Sequence, residues 1–255
     1  MSTRRPVAVV TGGRRGIGLG IARALAKAGF DLALTGLEAE APDAVLDELC
    51  AAGGRAVYLR ADLADLDGHA ATVAAIEQAL GGIDCLVDNA GIGAVVRGDF
   101  LDLKPENFDR IVGVNLRGTM FFTQAVLRSM LSVKGDLPRS VIGITSVSAA
   151  MSSPERLDYC VTKAGLSAFF QGLALRLAET GISVFEVRPG IIRSDMTAGV
   201  STKYDTLIEG GLVPMKRWGE AGDVGAIVAA LAGGGLGFAT GSIINADGGL
   251  SIGRL

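Results

Sequence analysis

Val7-Ala-Val-Val10 runs straight into Thr11-Gly-Gly-Arg-Arg-Gly-Ile-Gly18 and then into apolar residues at helical spacing as far as position 28. A short unbroken apolar run suits a strand buried on both faces, as in a parallel sheet. The glycines at 12, 16 and 18 then read as a strand-to-helix turn. Gly12 would make the turn, Gly16 would let backbone approach a pyrophosphate, and Gly18 would let helix pack on strand. Free N–H groups and the positive helix end, with Ile17 in its first turn, then face the phosphates. The spacing is GxxxGxG, not the commoner GxGxxG, so a glycine-rich turn without ligand is the competing reading. Its place directly after a strand favours a nucleotide.

Working outward, further apolar runs occur at 32–35, 56–59, 85–87, 141–145, 183–187 and 242–245. Helix-period stretches lie between them at 18–28, 42–51, 70–80, 105–130, 159–179 and 223–231. This alternation predicts an α/β fold: a doubly wound sheet of about seven parallel strands, with helices on both faces and right-handed crossovers. Gly29 and Gly181 follow helical stretches, as left-handed C′ residues do, and Pro105 opens one. No repeat or linker divides the chain, so one domain over 1–255 is expected. The polar, Gly-containing stretch 194–215 is expected to be a mobile substrate loop. Its lining of Met196, Tyr204, Leu207, Leu212, Val213, Met215 and Trp218 either covers substrate or buries the loop.

The 255 residues carry 24 Lys plus Arg against 27 Asp plus Glu, a net charge of −3. That balance argues against a nucleic-acid surface built on bulk positive charge. Hydrophobic residues make up 49% of the chain, which excludes general disorder. Cys50, Cys85 and Cys160 form no CxxC, and His69 is the one histidine, so no metal site is expected. His69 falls at a helix start with solvent as its expected partner. Met-Ser-Thr-Arg-Arg-Pro runs straight into Val7–Val10, and four apolar residues are too few for a signal h-region or a spanning helix, so a soluble cytoplasmic protein is expected.

The second strand ends Leu34-Thr-Gly-Leu-Glu38. An acid there would hold a ribose 2′-OH of NAD, but Gly36 and Leu37 fill the usual positions and Glu38 comes late. Arg14 and Arg15 can neutralise a 2′-phosphate, so NADP is the preferred expectation and NAD the alternative. Asp62, followed by Leu63, either sits by the adenine or caps the next turn. In Asp88-Asn-Ala-Gly91, small residues let backbone approach the cofactor, and Asn89 can bridge strand and ribose.

Tyr159-Cys-Val-Thr-Lys163 supplies the chemistry. Tyr and Lys four apart share one helix face, and a nearby ammonium lowers a phenol's pKa from about 10. Tyr159 can then exchange a proton with a carbonyl or alcohol oxygen. Ser146 ends the fifth strand, the edge where ligands of such sheets bind, and can steady a substrate oxygen. Asn115 lies inside a helix, where Asn is a poor choice, so a polar task such as holding a water beside Lys163 is expected. The one histidine follows the third strand, away from any candidate nucleophile, which disfavours a serine hydrolase.

Thr11 to Gly18, Asp62, Asp88 to Gly91, Asn115, Ser146, Tyr159/Lys163 and Pro189-Gly190 together resemble, in order and spacing, the short-chain dehydrogenase/reductase family over essentially the whole chain. The resemblance implies a Rossmann fold and a catalytic Asn115–Ser146–Tyr159–Lys163 tetrad acting with NADP or NAD. It also implies Pro189, Gly190 and Ile192 along the nicotinamide, and Ser194 on the carboxamide where Thr is common. Asp88 departs from the usual Asn-Asn-Ala-Gly. Within the family, Thr240-Gly-Ser-Ile-Ile-Asn-Ala-Asp-Gly-Gly249 and its companions look most like bacterial 3-oxoacyl-[acyl-carrier-protein] reductases. Sugar, polyol and other secondary-alcohol dehydrogenases are the alternative, and a non-catalytic nucleotide sensor a more distant one. An acyl-carrier protein would want a basic rim, for which Arg139, Arg193, Lys203, Lys216 and Arg217 are candidates. The resemblance further implies a homotetramer joined through the long crossover helices, whose Met120–Leu127 and Leu166–Phe170 stretches are rich in apolar residues.

Overall fold

The computed structural model describes residues 4–132, 137–198 and 201–254. Strand β1 (Val7–Thr11) lies between β2 (Asp31–Gly36) and β4 (Cys85–Asp88), parallel to both. The chain runs outward on one side through β2 to β3 (Ala56–Arg60). On the other it runs from β4 through β5 (Arg139–Ile144) and β6 (Ile182–Pro189) to β7 (Ile243–Ala246). The order β3-β2-β1-β4-β5-β6-β7 reverses between β1 and β4, which opens a crevice beyond their carboxyl ends.

Two cores flank the sheet. On one face α1 (Gly16–Lys27), α2 (Asp43–Cys50) and α9 (Ala221–Ala232) bury Ile21, Leu25, Val224 and Val228 against Leu32, Leu34 and Phe185. Helices α1 and α9 approach closely because Gly20 has no side chain: a Cβ there would lie 2.6 Å from Ala221. On the other face α3 (His69–Leu80), α5 (Thr119–Ser132) and α6 (Leu157–Leu177) bury Ile76, Phe122, Val126 and Phe170 against Leu86 and Val141. The inner strands are buried on both faces, as their unbroken apolar runs require. The edge strands β3 and β7 are only partly covered.

Three expectations are corrected. The long helix over 105–130 is interrupted: α4 (Pro105–Val112) passes into α5 through a π-helical turn, Gly113–Gly118. Segment 194–215 is not a plain loop, for it contains α7 (Asp195–Ala198) and α8 (Ser201–Glu209). There Ile208, Val213 and Trp218 form a small core of their own. Tyr204 packs edge-on against Trp218 at 5.8 Å, and the indole N–H donates to Asp205 at 2.7 Å. These residues bury the segment against itself, while Leu207 and Met215 remain exposed; the side chain of Met196 lies outside the described residues. His69 does not face solvent. It is buried, with Nε2 3.1 Å from the Leu63 carbonyl and its ring edge-on to Phe122, because α3 starts against α5. Among the described residues no helix is long and apolar enough to cross a membrane.

Candidate active site

The glycine loop joins β1 to α1. Arg15 is the N-cap of α1 and makes no side-chain cap, so the first helical N–H groups stay open toward the crevice. Gly16 has φ +54°, a conformation costly for other residues. A Cβ on Gly18 would collide with the Gly12 carbonyl and come within 2.7 Å of Asn89 Nδ2. Gly18 therefore packs the helix onto the loop and the end of β4. An uncapped helix end behind a loop that admits no side chain is a cradle fitted to a pyrophosphate.

The ribose side differs from the sequence expectation. Arg14 Nη1 lies 3.8 Å from the Glu38 carboxylate and donates to the Glu40 carbonyl at 3.2 Å. Arg15 lies 3.6 Å from Asp195. Glu38 turns back over Gly36, where a Cβ would meet its carboxylate at 3.0 Å. Its pKa is lowered by a hydrogen bond from its own backbone and by the charges of Arg14 and Arg15, so it is ionised at neutral pH. The Tyr58 hydroxyl donates to the Glu38 carbonyl at 2.9 Å and helps hold this turn. Asp62 accepts from the Ala64 amide at 2.9 Å, a turn-capping role, and Leu63 is buried.

Beyond β4, Thr11 Oγ1 accepts from the Asn89 and Ala90 amides, each at 2.9 Å, and so joins the ends of β1 and β4. Asn89 Nδ2 donates to the Thr11 carbonyl at 2.8 Å. Asn115 sits in the π-helical turn with its amide spent on Ile92: Oδ1 accepts from the Ile92 amide at 2.7 Å and Nδ2 donates to its carbonyl at 2.8 Å. It thus fixes the strand exit beside Gly91 rather than presenting a free side-chain group. A Cβ on Gly91 would lie 3.1 Å from Asn115 Oδ1 and 3.8 Å from Lys163 Nζ, so these two residues flank the same backbone. A π-turn widens a helix locally and often marks a functional position.

Ser146 follows β5 and lies close enough to Tyr159 for its hydroxyl to lower the phenol's pKa, while its Oγ accepts from the Ser148 amide at 3.0 Å. Lys163 is buried below the half-exposed ring, with Nζ 5.7 Å from the ring centroid and donating to the Ile144 carbonyl at 3.1 Å. Burial pulls the Lys163 ammonium down to about 8, opposed by the charge of Glu186. The expected lowering of the phenol by Lys163 is not found. Burial raises the Tyr159 pKa above its ordinary value, and the opposing influences are the Ser146 hydrogen bond and the guanidiniums of Arg156 and Arg97. The ammonium donates to the Ile144 carbonyl and is not among the influences on the phenol, so desolvation prevails. Tyr159 is therefore a neutral phenol at pH 7, the form that gives up a proton.

Pro189, the last residue of β6, is buried, and just beyond it Gly190 packs where a Cβ would meet Asp247 at 2.7 Å. Ile192 is only 4% exposed and its side chain belongs to the core. Ser194 lies across from Gly16, so the residues after β6 face the glycine loop. Of the basic-rim candidates, Arg139 sits at the opposite end of the sheet and donates to the Met130 and Thr180 carbonyls. Arg193 pairs with Glu220 and Arg217 with Asp223.

Sequence reasoning missed a buried network behind Lys163. Glu186 accepts from Thr145 at 2.6 Å, Ser167 at 2.7 Å and Arg188 at 2.7 Å. The signal was present: Glu186 and Arg188 interrupt an otherwise apolar strand, and a charge in such a strand needs a partner. Arg97 and Arg156, which flank the phenol, were also missed and carry no motif.

A family model described as enoyl-(acyl carrier protein) reductase matches residues 12–251. The 3-oxoacyl-[acyl-carrier-protein] reductase FabG of Staphylococcus epidermidis is 34% identical over 246 residues, covering 95% of this chain and 98% of that one. The crystal structure of a 3-oxoacyl-[acyl-carrier protein] reductase from Brucella melitensis in complex with NAD is similar with a TM-score of 0.97 and 68% identity, over 100% of both chains. A short-chain type dehydrogenase/reductase from Mycobacterium marinum is similar with a TM-score of 0.90 and 30% identity, over 98% of this chain and 97% of that one.

Proposed function

This chain belongs to the short-chain dehydrogenase/reductase family, and on that premise we propose that it is an NAD-dependent enzyme interconverting a 3-oxo group and its secondary alcohol. It is an oxidoreductase most like 3-oxoacyl-acyl-carrier-protein reductases. The observation that carries the reading is the grouping of Ser146 just past β5, the Tyr159 ring, and the buried Lys163, whose Nζ lies 5.7 Å from that ring's centroid and donates to the Ile144 carbonyl. When bound, the nicotinamide supplies the hydride. Ser146 holds the substrate oxygen, and Tyr159 gives that oxygen its proton as charge develops on it. Lys163 anchors the ribose side and keeps a positive charge behind the phenol. Asn115 positions the Gly91–Ile92 backbone, and Asn89 positions the glycine loop. The open N–H groups of α1 take the pyrophosphate.

NAD is favoured over NADP because the ionised Glu38 stands at the ribose turn, 3.8 Å from Arg14. A 2′-phosphate would meet the ionised Glu38, whereas a 2′-OH can donate to it. The Brucella relative, in complex with NAD, supports this. Reduction of acetoacetate, acetoacetyl thioester and ethyl acetoacetate, followed at equal NADH and NADPH, tests the reading. We expect kcat/KM with NADH at least about tenfold higher, a factor worth about 1.4 kcal/mol. Glu38→Gln should erase most of that preference. No carbonyl reduction with either cofactor would reject the oxidoreductase assignment, and equal use of both would reject the choice of NAD.

A cytoplasmic homotetramer is also part of this reading. It is supported by Phe121 and Leu131 on α5, which are 44% and 42% exposed, and by Leu175 on α6 at 82%. An acyl-carrier protein as partner is supported by likeness. The paired states of Arg193 and Arg217 leave Lys203 and Lys216 as the rim charges without a carboxylate partner among the described residues.

A further inference from the structure

Arg97 and Arg156 both act on the Tyr159 phenol, and neither pairs with a carboxylate among the described residues. The Arg156 guanidinium carbon lies 5.3 Å from the Tyr159 ring centroid. Its polar contacts are long ones to hydroxyls, Ser153 Oγ at 3.4 Å and the buried Ser148 Oγ at 3.5 Å. Ser148 in turn gives its amide to Ser146 Oγ at 3.0 Å, so Arg156 is tied to the turn that holds the catalytic serine. The loop bearing Arg97 is fixed against that of Arg156 by the Gly98 amide, which donates to the Glu155 carbonyl at 3.2 Å. Arg97 lines a cavity of about 120 Å³ beside the site, with Phe100, Leu103, Leu157 and Asp158 among its walls. Asp99, Asp102 and Glu155 line that cavity together with Asp158, so the cavity itself repels an anion and the candidate subsite is the Tyr159 face of Arg156.

We propose that Arg156, assisted by Arg97, is a subsite for a substrate carboxylate, so that the enzyme acts on small free oxo and hydroxy acids rather than on their neutral esters or thioesters. The inference rests on the oxidoreductase reading above and narrows its substrate class. The guanidinium stands so near the phenol that the carboxylate has to lie within about three carbons of the reacting carbonyl, at roughly 1.5 Å per bond. A planar guanidinium in a half-buried site takes a carboxylate through two parallel hydrogen bonds. A neutral thioester would leave the partly buried Arg156 without a counter-charge.

The test compares 2-oxo and 3-oxo acids of three to six carbons with their methyl esters, acetoacetyl thioester and dihydroxyacetone phosphate, all with NADH. Thermal shifts of the enzyme with each compound give a readout independent of turnover. Acids should exceed their esters in kcat/KM by about thirtyfold, about 2 kcal/mol for a charge-assisted pair, and only acids should raise Tm. Arg156→Gln should raise KM for the acids by a similar factor, cost the esters far less, and leave NADH binding unchanged. Arg156→Lys should restore part of the loss, and Arg97→Ala should cost several-fold. Ester or thioester turnover equal to or above that of the acids, preference for the phosphorylated ketone, or equal loss for acid and ester in Arg156→Gln would each overturn the carboxylate subsite while the oxidoreductase stands. An enzyme that reduces none of these compounds and whose Tm no acid shifts would overturn both.

Discussion

Replacing Tyr159 by Phe is expected to lower kcat/KM for carbonyl reduction by about a thousandfold or more, within the range for loss of a positioned general acid. The ring and its packing stay and only the hydroxyl leaves, so NADH affinity, read by fluorescence titration, should remain within about twofold. The loss should fall on kcat, because proton transfer to the substrate oxygen matters in the transition state and little in the ground state. The wild-type profile adds a second mark. Burial keeps the phenol protonated well above neutrality, while the Lys163 ammonium, pulled down to about 8, loses its proton first. Reduction should therefore decline above about pH 8 in the wild type, as the positive charge behind the phenol disappears. Normal turnover by the Tyr159→Phe enzyme would remove that hydroxyl from the reaction.

Much of this site was legible because parallel sheets bury strands on both faces, and such strands read as unbroken apolar runs. Every strand expectation found its element, and the residues just past the carboxyl ends of β1, β4, β5 and β6 converge on one crevice. What was not legible depends on side-chain direction or on tertiary partners. The pattern through Asn115 is continuous with a helix, and nothing local marks the widened turn at 113–118. Glu38 looked a residue late by spacing, yet its side chain folds back over Gly36 to reach Arg14. His69 is buried by Phe122, more than fifty positions away, a contact no local window contains. The phenol's ionisation was misjudged for a physical reason: spacing reports that Tyr159 and Lys163 share a helix face, but not that the ammonium turns to Ile144. Desolvation then outweighs a charge that is near but not aimed at the oxygen.

Asp88→Asn should stabilise the protein, and by an amount that depends on pH. Asp88 ends β4 and is buried. Oδ2 accepts from Thr123 Oγ1 at 2.7 Å, and Oδ1 has no hydrogen-bond partner among the described residues. Burial, only partly opposed by the Thr123 hydrogen bond, pushes its pKa up from 3.8 to about 7. The folded state thus binds the proton more tightly than the unfolded chain. Below about pH 4 both states are protonated and the group costs nothing; as pH rises toward 7 the unfolded chain ionises first, and stability falls. The full penalty, present above pH 7, is at most about 4 kcal/mol for a shift of roughly three units. An Asn keeps an acceptor for Thr123, brings an N–H where Oδ1 stands alone, and never ionises. For a chain of this size each kcal/mol moves Tm by about 2–4 °C. Asp88→Asn should accordingly raise Tm at pH 8 by at least about 5 °C, with the gain shrinking toward zero at pH 4. A gain that is the same at both pH values, or a loss at pH 8, would show that Asp88 is not carrying a buried charge.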